Sequence, residues 1–273
     1  MSLPILTYHS LEGCGACESA VPEEERLYLV RQEAFETQMR VLAQRGIRTL
    51  TMNELVSTID QGAPLPARAI CVTFDDGKAS DYDIAFPVLM RHGLTGTFFV
   101  VTQQVGQPGY VTWAQLKEMA LQGMSIQSHS RTHPFLSQCH PAQVYDEFAG
   151  SKTVLEDRLG RPVTCFALPG GDWKPAHRAI AESCGYRAVC TSDPGVNAEV
   201  NLWRLERFAI CRGNSIGHFT SLVTLRSWTV LALLARTGCL RTARRSLGIA
   251  RYNAVRQRLL HLVSRLGRRM SRS

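Results

Sequence analysis

Short runs rich in apolar and β-branched residues alternate along this chain with longer segments whose apolar positions recur every three or four residues. Runs such as Ala69 to Phe74, Thr95 to Val101 and Ser125 to Ser128 predict strands, whereas Gln32 to Gln44, Asn53 to Gln61, Trp113 to Gln122 and Pro141 to Leu159 predict helices. Leu3 to Tyr8 opens the series as a short buried strand, followed by a loop rich in Gly, Cys and Glu. Further strands are predicted at Ile47 to Thr51, Val163 to Leu168, Arg187 to Thr191 and Leu205 to Ile210, with helices at Asp83 to His92 and Pro175 to Cys184. Repeated strand-then-helix units imply parallel strands joined by crossover helices, as a doubly wound sheet or a closed barrel; about seven units favour the barrel. In either architecture, polar residues just past the strand carboxyl ends gather at one mouth, so chemistry is expected there.

Composition narrows the picture without naming a task. With 45% hydrophobic and 20% charged residues over 273 positions, the chain is neither disordered nor collagen-like. The net charge of +8 is unevenly spread: residues 1 to 206 hold 17 basic side chains against all 23 acids, and from Arg207 onward there are 14 arginines and no acid. In that tail Tyr252, Val255, Leu259, Leu262, Val263 and Leu266 share one helical stripe, flanked by Arg251, Arg258, Arg265, Arg268 and Arg269. Such a segment is expected to seek an anionic membrane surface. Nucleic acid is not an expected partner, because no reading motif is present and the acidic body would repel phosphate. The most apolar stretch, Ser227 to Ala235, is bracketed by arginines and too short to span a membrane. The polar turn soon after Met1 argues against a secretory leader, and nine scattered cysteines suit free thiols, so a cytoplasmic site, peripheral on the inner membrane face, is expected. Two segments follow: residues 1–212 as the barrel and residues 213–273 as an Arg-rich helical extension.

Candidate chemistry lies at two strand ends. Thr73-Phe74-Asp75-Asp76-Gly77 places two adjacent carboxylates before a glycine turn; one can ligate a metal while the other accepts a proton from water. His129-Ser130-Arg131-Thr132-His133-Pro134 sets two histidines four apart after another strand. Two imidazoles and one carboxylate make a site with an open position, suited to zinc and compatible with iron, cobalt or nickel. Either motif alone is more often a turn or a surface pair; their shared placement past strand ends favours catalysis.

This pair of motifs resembles the signatures of the polysaccharide deacetylase (NodB homology) family, carbohydrate esterase family four, over about residues 3 to 210. The resemblance implies a distorted seven-stranded (β/α) barrel that hydrolyses an N-acetyl, less often O-acetyl, group on a sugar. It further implies Asp75 as general base, with Asp76, His129 and His133 as ligands to one divalent ion. Where the family's third motif reads Arg-x-Pro-aromatic-Gly, this chain has Ala167-Leu168-Pro169-Gly170-Gly171. The Gly170 amide can still serve an oxyanion, but the arginine beside the base is missing, and Arg204 or Arg207 is expected to replace it. No late Leu-x-His motif supplies a general acid. One branch of the family, the poly-N-acetylglucosamine deacetylases, is similar in lacking it and uses an early Tyr-His, which Tyr8-His9 matches; His9 is then the expected acid.

Weaker signals add to the mouth. Of Trp113, Trp173 and Trp203, Trp173 is best placed to stack on a sugar, and Tyr8 is expected to join it in binding substrate. Cys14 and Cys17 have CxxC spacing, read as free thiols in a loop. The expected substrate is an N-acetylated glycan or lipid-linked sugar. Two other functions remain compatible: a noncatalytic glycan-binding protein of a polysaccharide synthesis complex, and a deformylase of a lipid-linked sugar.

Overall fold

The structure, a computed structural model, describes residues 2–13, 25–171 and 174–225. In chain order the strands are β1 (Ile5–Tyr8), β2 (Ser10–Glu12), β3 (Leu29–Arg31), β4 (Arg48–Thr49), β5 (Ala69–Phe74), β6 (Thr97–Val100), β7 (Ser125–Ser128), β8 (Cys165–Ala167), β9 (Ala188–Cys190) and β10 (Phe208–Ala209). The helices are α1 (Gln32–Gln44), α2 (Met52–Asp60), α3 (Phe86–Arg91), α4 (Trp113–Leu121), α5 (Pro141–Leu159), α6 (Pro175–Ser183) and α7 (Ile216–Val223). Seven parallel strands run β10, β1, β5, β6, β7, β8, β9, with β4 added beside the start of β5. Leu205 bridges Cys190 on one edge while Leu6 pairs with Phe208 on the other, so the last segment curls the sheet toward closure. The (β/α) barrel that the alternation favours, in the distorted form that the family resemblance implies, is the architecture found, as a curled parallel sheet with helices.

Local sequence explains where the helices start. Thr51 and Thr112 each accept the backbone N–H of the residue three on, Glu54 or Gln115, whose side chain bonds back; both are capping boxes. Pro141 and Pro175 open α5 and α6, where a missing N–H costs nothing. Gly160, at φ 63°, ends α5 in the left-handed conformation that glycine adopts most cheaply. The predicted helix from Asp83 instead begins as a wider π turn, Asp81–Ala85, before α3. Pro87 has no N–H to return to the carbonyl four residues earlier, so the ladder is open there.

Strand alternation sorts residues between the helices and the barrel lumen. Ile5, Cys71, Phe99, Cys165, Ala167, Ala188, Cys190 and Leu205 join one buried cluster with Met52, Leu55 and Val56 of α2. Two residues further along their strands, Thr7, Thr73 and Arg207 meet instead through hydrogen bonds. The lumen therefore passes from apolar to polar toward the carboxyl ends, which places the chemistry at that mouth. The six described cysteines are free thiols, three of them fully buried in this cluster. Among the described residues no helix is long and apolar enough to cross a membrane. The predicted amphipathic segment from Arg251 to Arg269, Cys14, Cys17 and Trp173 lie outside the described residues; α7 packs against α1.

Candidate active site

Three donor atoms converge where β5 and β7 end. Asp76 Oδ1 lies 3.4 Å from His129 Nε2 and 3.4 Å from His133 Nε2, and the two imidazole nitrogens are 3.2 Å apart. Backbone conformation brings them together. Asp75 continues the strand, but Asp76 (φ 79°) and Gly77 (φ 73°) are left-handed, which turns two adjacent carboxylates onto one mouth instead of opposite faces. A Cβ on Gly77 would sit 3.1 Å from Val100 Cγ1, so the turn also needs glycine for space. Ser130 (φ 71°) and His133 (φ 65°) repeat the device in the second loop.

The histidine loop is held from behind. His129 Nδ1 donates to the Ala167 carbonyl at 2.9 Å, which leaves its Nε2 as the free ligand atom. Glu147, buried in α5, accepts the N–H groups of Arg131 and Thr132 at 2.8 Å each and the Thr132 hydroxyl at 2.6 Å. Glu147 was not singled out from sequence, although an acid beside Val144, Phe148 and Leu155 on the buried stripe of α5 was the available signal.

The residues fit a divalent cation. Asp76, His129 and His133 offer one ligand atom each, all within 4.8 Å of one another. Such a cluster of lone pairs needs a proton or a cation among them. Burial lowers the basicity of both imidazoles; the Asp75 and Asp76 charges reverse this at His129, raising its pKa. His133 is pushed down to about 4 by burial and the neighbouring His129. Burial would raise the Asp76 carboxyl, but the hydrogen bond and charge of His129 hold it well below the ordinary range. His133 is 43% exposed on its side chain, which gives the centre its open side.

Asp75 is 2% exposed and receives both guanidinium nitrogens of Arg207, Nη1 to Oδ1 and Nη2 to Oδ2, at 2.7 Å each. Arg207 is 1% exposed; its Nε donates to the Thr191 carbonyl at 2.9 Å, and its Nη1 also reaches Thr7 and Thr73 hydroxyls. Burial pushes the Asp75 carboxyl up, yet Arg207 and the nearby histidines more than offset it, leaving the pKa below the ordinary value. Arg204 is not at this position: it pairs with Asp193 at 2.9 Å on the surface. Residues three apart on this segment reach opposite sides, so only one of the two candidates meets Asp75.

His9 and Tyr8 separate for the same reason. Tyr8 is fully buried on the outer face of β1, its ring against Phe35 and Phe74 and its hydroxyl donating to Gln38 Oε1 at 2.7 Å. The expectation that Tyr8 contacts substrate is corrected: alternation sends it into the helix layer. His9 feels both Asp75 and Asp76 and packs its ring at a tilt against Tyr28, centroids 4.8 Å apart, with its Nδ1 buried and without a hydrogen-bond partner. Burial lowers its pKa, and Arg207 and His129 add to this against the two aspartates. A further acid, Asp81, is 1% exposed and neither oxygen makes a hydrogen bond of good geometry; burial and the charges of Asp76 and Asp75 raise its pKa well above the ordinary value. Gly170 lies exposed in the turn after β8 at φ 62°.

Metal-ligating side chains at the carboxyl ends of parallel strands, beside a buried carboxylate, form a candidate centre for metal-assisted hydrolysis. The profile of the Polysaccharide deacetylase family matches residues 62–189. The chain is 31% identical over 222 residues to the Bacillus subtilis (strain 168) protein YxkH, which carries a polysaccharide deacetylase name, covering 81% of this chain and 76% of that one. It belongs to the polysaccharide deacetylase family. The Streptococcus pyogenes deacetylase PplD, solved in complex with acetate, superposes with a TM-score of 0.72 at 28% identity, covering 79% of this chain and 95% of that one. A poly-beta-1,6-N-acetyl-D-glucosamine N-deacetylase of Staphylococcus aureus (strain MRSA252) is 26% identical over 141 residues, which is 50% of this chain and 48% of that protein. The protein is therefore a hydrolytic carbohydrate deacetylase by family.

Proposed function

We propose that this chain removes acetyl groups from N-acetylhexosamine units of a polysaccharide, with a divalent ion, zinc by preference, held by Asp76, His129 and His133. The observation that carries the reading is the convergence of those three ligand atoms beside a buried carboxylate locked by Arg207. When bound, the ion polarises the acetamide carbonyl and makes water a stronger acid. Asp75 then takes a proton from the attacking water, its remaining lone pairs being free of Arg207. The Gly170 N–H serves the developing oxyanion, and His9 gives a proton to the departing nitrogen as the C–N bond breaks. Acetate and an amino sugar are the products. The acetate in the PplD structure and the N-deacetylase name of the Staphylococcus aureus relative support this choice of acyl group and sugar.

The test pairs metal analysis with acetate release. Purified protein should carry about one divalent ion per chain and release acetate from N-acetylated β-1,6-glucosamine oligomers. His129→Ala should lose both by more than about tenfold, in line with removal of a metal ligand. Acetate release at the wild-type rate from metal-free His129→Ala would refute the assignment.

Place in the cell is a second part of the proposal. The arginine-rich segment supports action at the inner membrane face on a nascent or lipid-linked glycan. Full-length protein should sediment with vesicles containing anionic lipid at low salt and detach as salt is raised; equal recovery with neutral vesicles would count against it.

A further inference from the structure

Nine of the ten phenylalanines are 8% exposed or less, and the tenth, Phe135, is 51% exposed. That residue lies two positions after the ligand His133. Its ring rests on the turn after β8: a Cβ built on Gly170 would fall 2.5 Å from Phe135 Cε1, 3.1 Å from Cδ1 and 3.5 Å from Cζ. Any side chain at position 170 would evict the ring. The Phe135 carbonyl accepts the Gln138 N–H at 2.9 Å, and Leu136 beside it is buried, so the backbone that carries the ring is fixed. Lys174, ahead of α6, donates to the Ser137 carbonyl of the same turn. The turn that supports the ring is in register with the metal centre, because Ala167, three residues before Gly170, holds His129.

A lone exposed aromatic needs no explanation by itself. This one reaches from the loop that carries His129 and His133 to the turn after β8, with one edge seated on bare backbone and half of its surface open. Flat apolar rings placed beside polar groups are the usual means of orienting a ligand that has both kinds of surface. A pyranose has such a surface, since its axial C–H bonds form an apolar face bordered by hydroxyls. We propose that Phe135, seated on Gly170, is a stacking platform for a pyranose ring of the glycan next to the acetamide that is cleaved. The inference rests on the deacetylation reading and names the part of the substrate that this site grips. Stacking orients the sugar, and the missing side chain at Gly170 makes room for the ring that does it.

The test uses the full-length protein and a β-1,6-linked N-acetylglucosamine pentasaccharide, with binding followed by calorimetry and acetate release followed in the same samples. Phe135→Trp and Phe135→Tyr should bind within about threefold of wild type, and Phe135→Leu, which keeps an apolar side chain but no flat face, about tenfold more weakly. Matched thermal melts show that each variant is folded. Leucine binding as tightly as tryptophan, or a wild type that does not bind the pentasaccharide, overturns the platform. A wild type that binds with the aromatic ranking yet releases no acetate overturns the deacetylation reading and leaves the platform standing. Release of acetate at equal affinity in all four proteins removes the platform alone.

Discussion

Replacing Arg207 by leucine should cost about 3–5 kcal/mol of stability and at least about a hundredfold in acetate release, because it leaves the Asp75 carboxylate buried without its partner. Two hydrogen bonds of 2.7 Å join the pair, and Arg207 also donates to Thr191, Thr7 and Thr73. Without the guanidinium, burial is opposed only by the nearby histidines, so the pKa of Asp75 should rise and less of the proposed base is available as carboxylate. Urea unfolding and acetate release measured on the same preparations check both effects. Arg204→Ala is the comparison: its side chain is 43% exposed and its partner Asp193 is partly open to solvent, so the change should stay within about 1 kcal/mol.

The pH dependence of this loss has a definite sign. In the wild type the folded pKa of Asp75 lies below the ordinary 3.8. The pair therefore adds stability that is present above about 3.8 and disappears as pH falls through the lower folded value. In Arg207→Leu the order is reversed, and the buried carboxylate costs most at neutral pH. The stability gap between the two proteins should then shrink as pH falls from neutral, first as Asp75 in the variant protonates at its raised pKa and then as the wild-type pair is lost below about pH 4. A gap that is constant from pH 7 to pH 3 would mean that the lost contacts, and not the charge pair, account for the destabilisation.

His9→Ala should lower kcat on the pentasaccharide by about 10²–10⁴, the usual contribution of a positioned general acid, while bound metal is retained. Leaving-group chemistry gives the decisive readout. An amine departs only when protonated, whereas an activated phenyl ester of acetic acid departs as an anion. The variant should therefore lose far less on the ester than on the acetamide. Equal losses on both, or loss of metal, would mean that His9 supports the centre in another way. Its ring contact with Tyr28 holds it at the mouth beside Asp75 and Asp76, whose charges only partly oppose the lowering of its pKa by burial.

Much of the scaffold was readable in advance. The helix predicted from Gln32 to Gln44, the strand from Ala69 to Phe74 and the helix from Pro141 to Leu159 coincide with α1, β5 and α5. Periodicity marks the two helices, with Pro141 opening and Gly160 closing α5, and a continuous apolar, β-branched run marks β5. The pairing of β2 with β3 was not readable, since each is three residues long and their contact spans the loop between them. Tyr8 shows how a motif misleads at single-residue resolution: it is still within the extended strand β1, where neighbouring side chains alternate between faces, and it points away from the mouth.

Residue type and position along a strand, both local properties, determined which groups reach the mouth: Asp75, Asp76, His129 and His133 follow directly from where β5 and β7 stop. The partners of those groups were decided by tertiary structure. Arg207 lies 132 residues from Asp75, and no local pattern distinguishes it from Arg204. Only closure of the sheet, with the segment from Leu205 to Ala209 reaching both β9 and β1, points one arginine inward and leaves the other in solvent. Phe135 and Gly170 meet in the same way, across two loops whose sequences carry no sign of each other. Local propensity is short-ranged, whereas a buried charge or a seated ring is stable only through what the rest of the chain places against it.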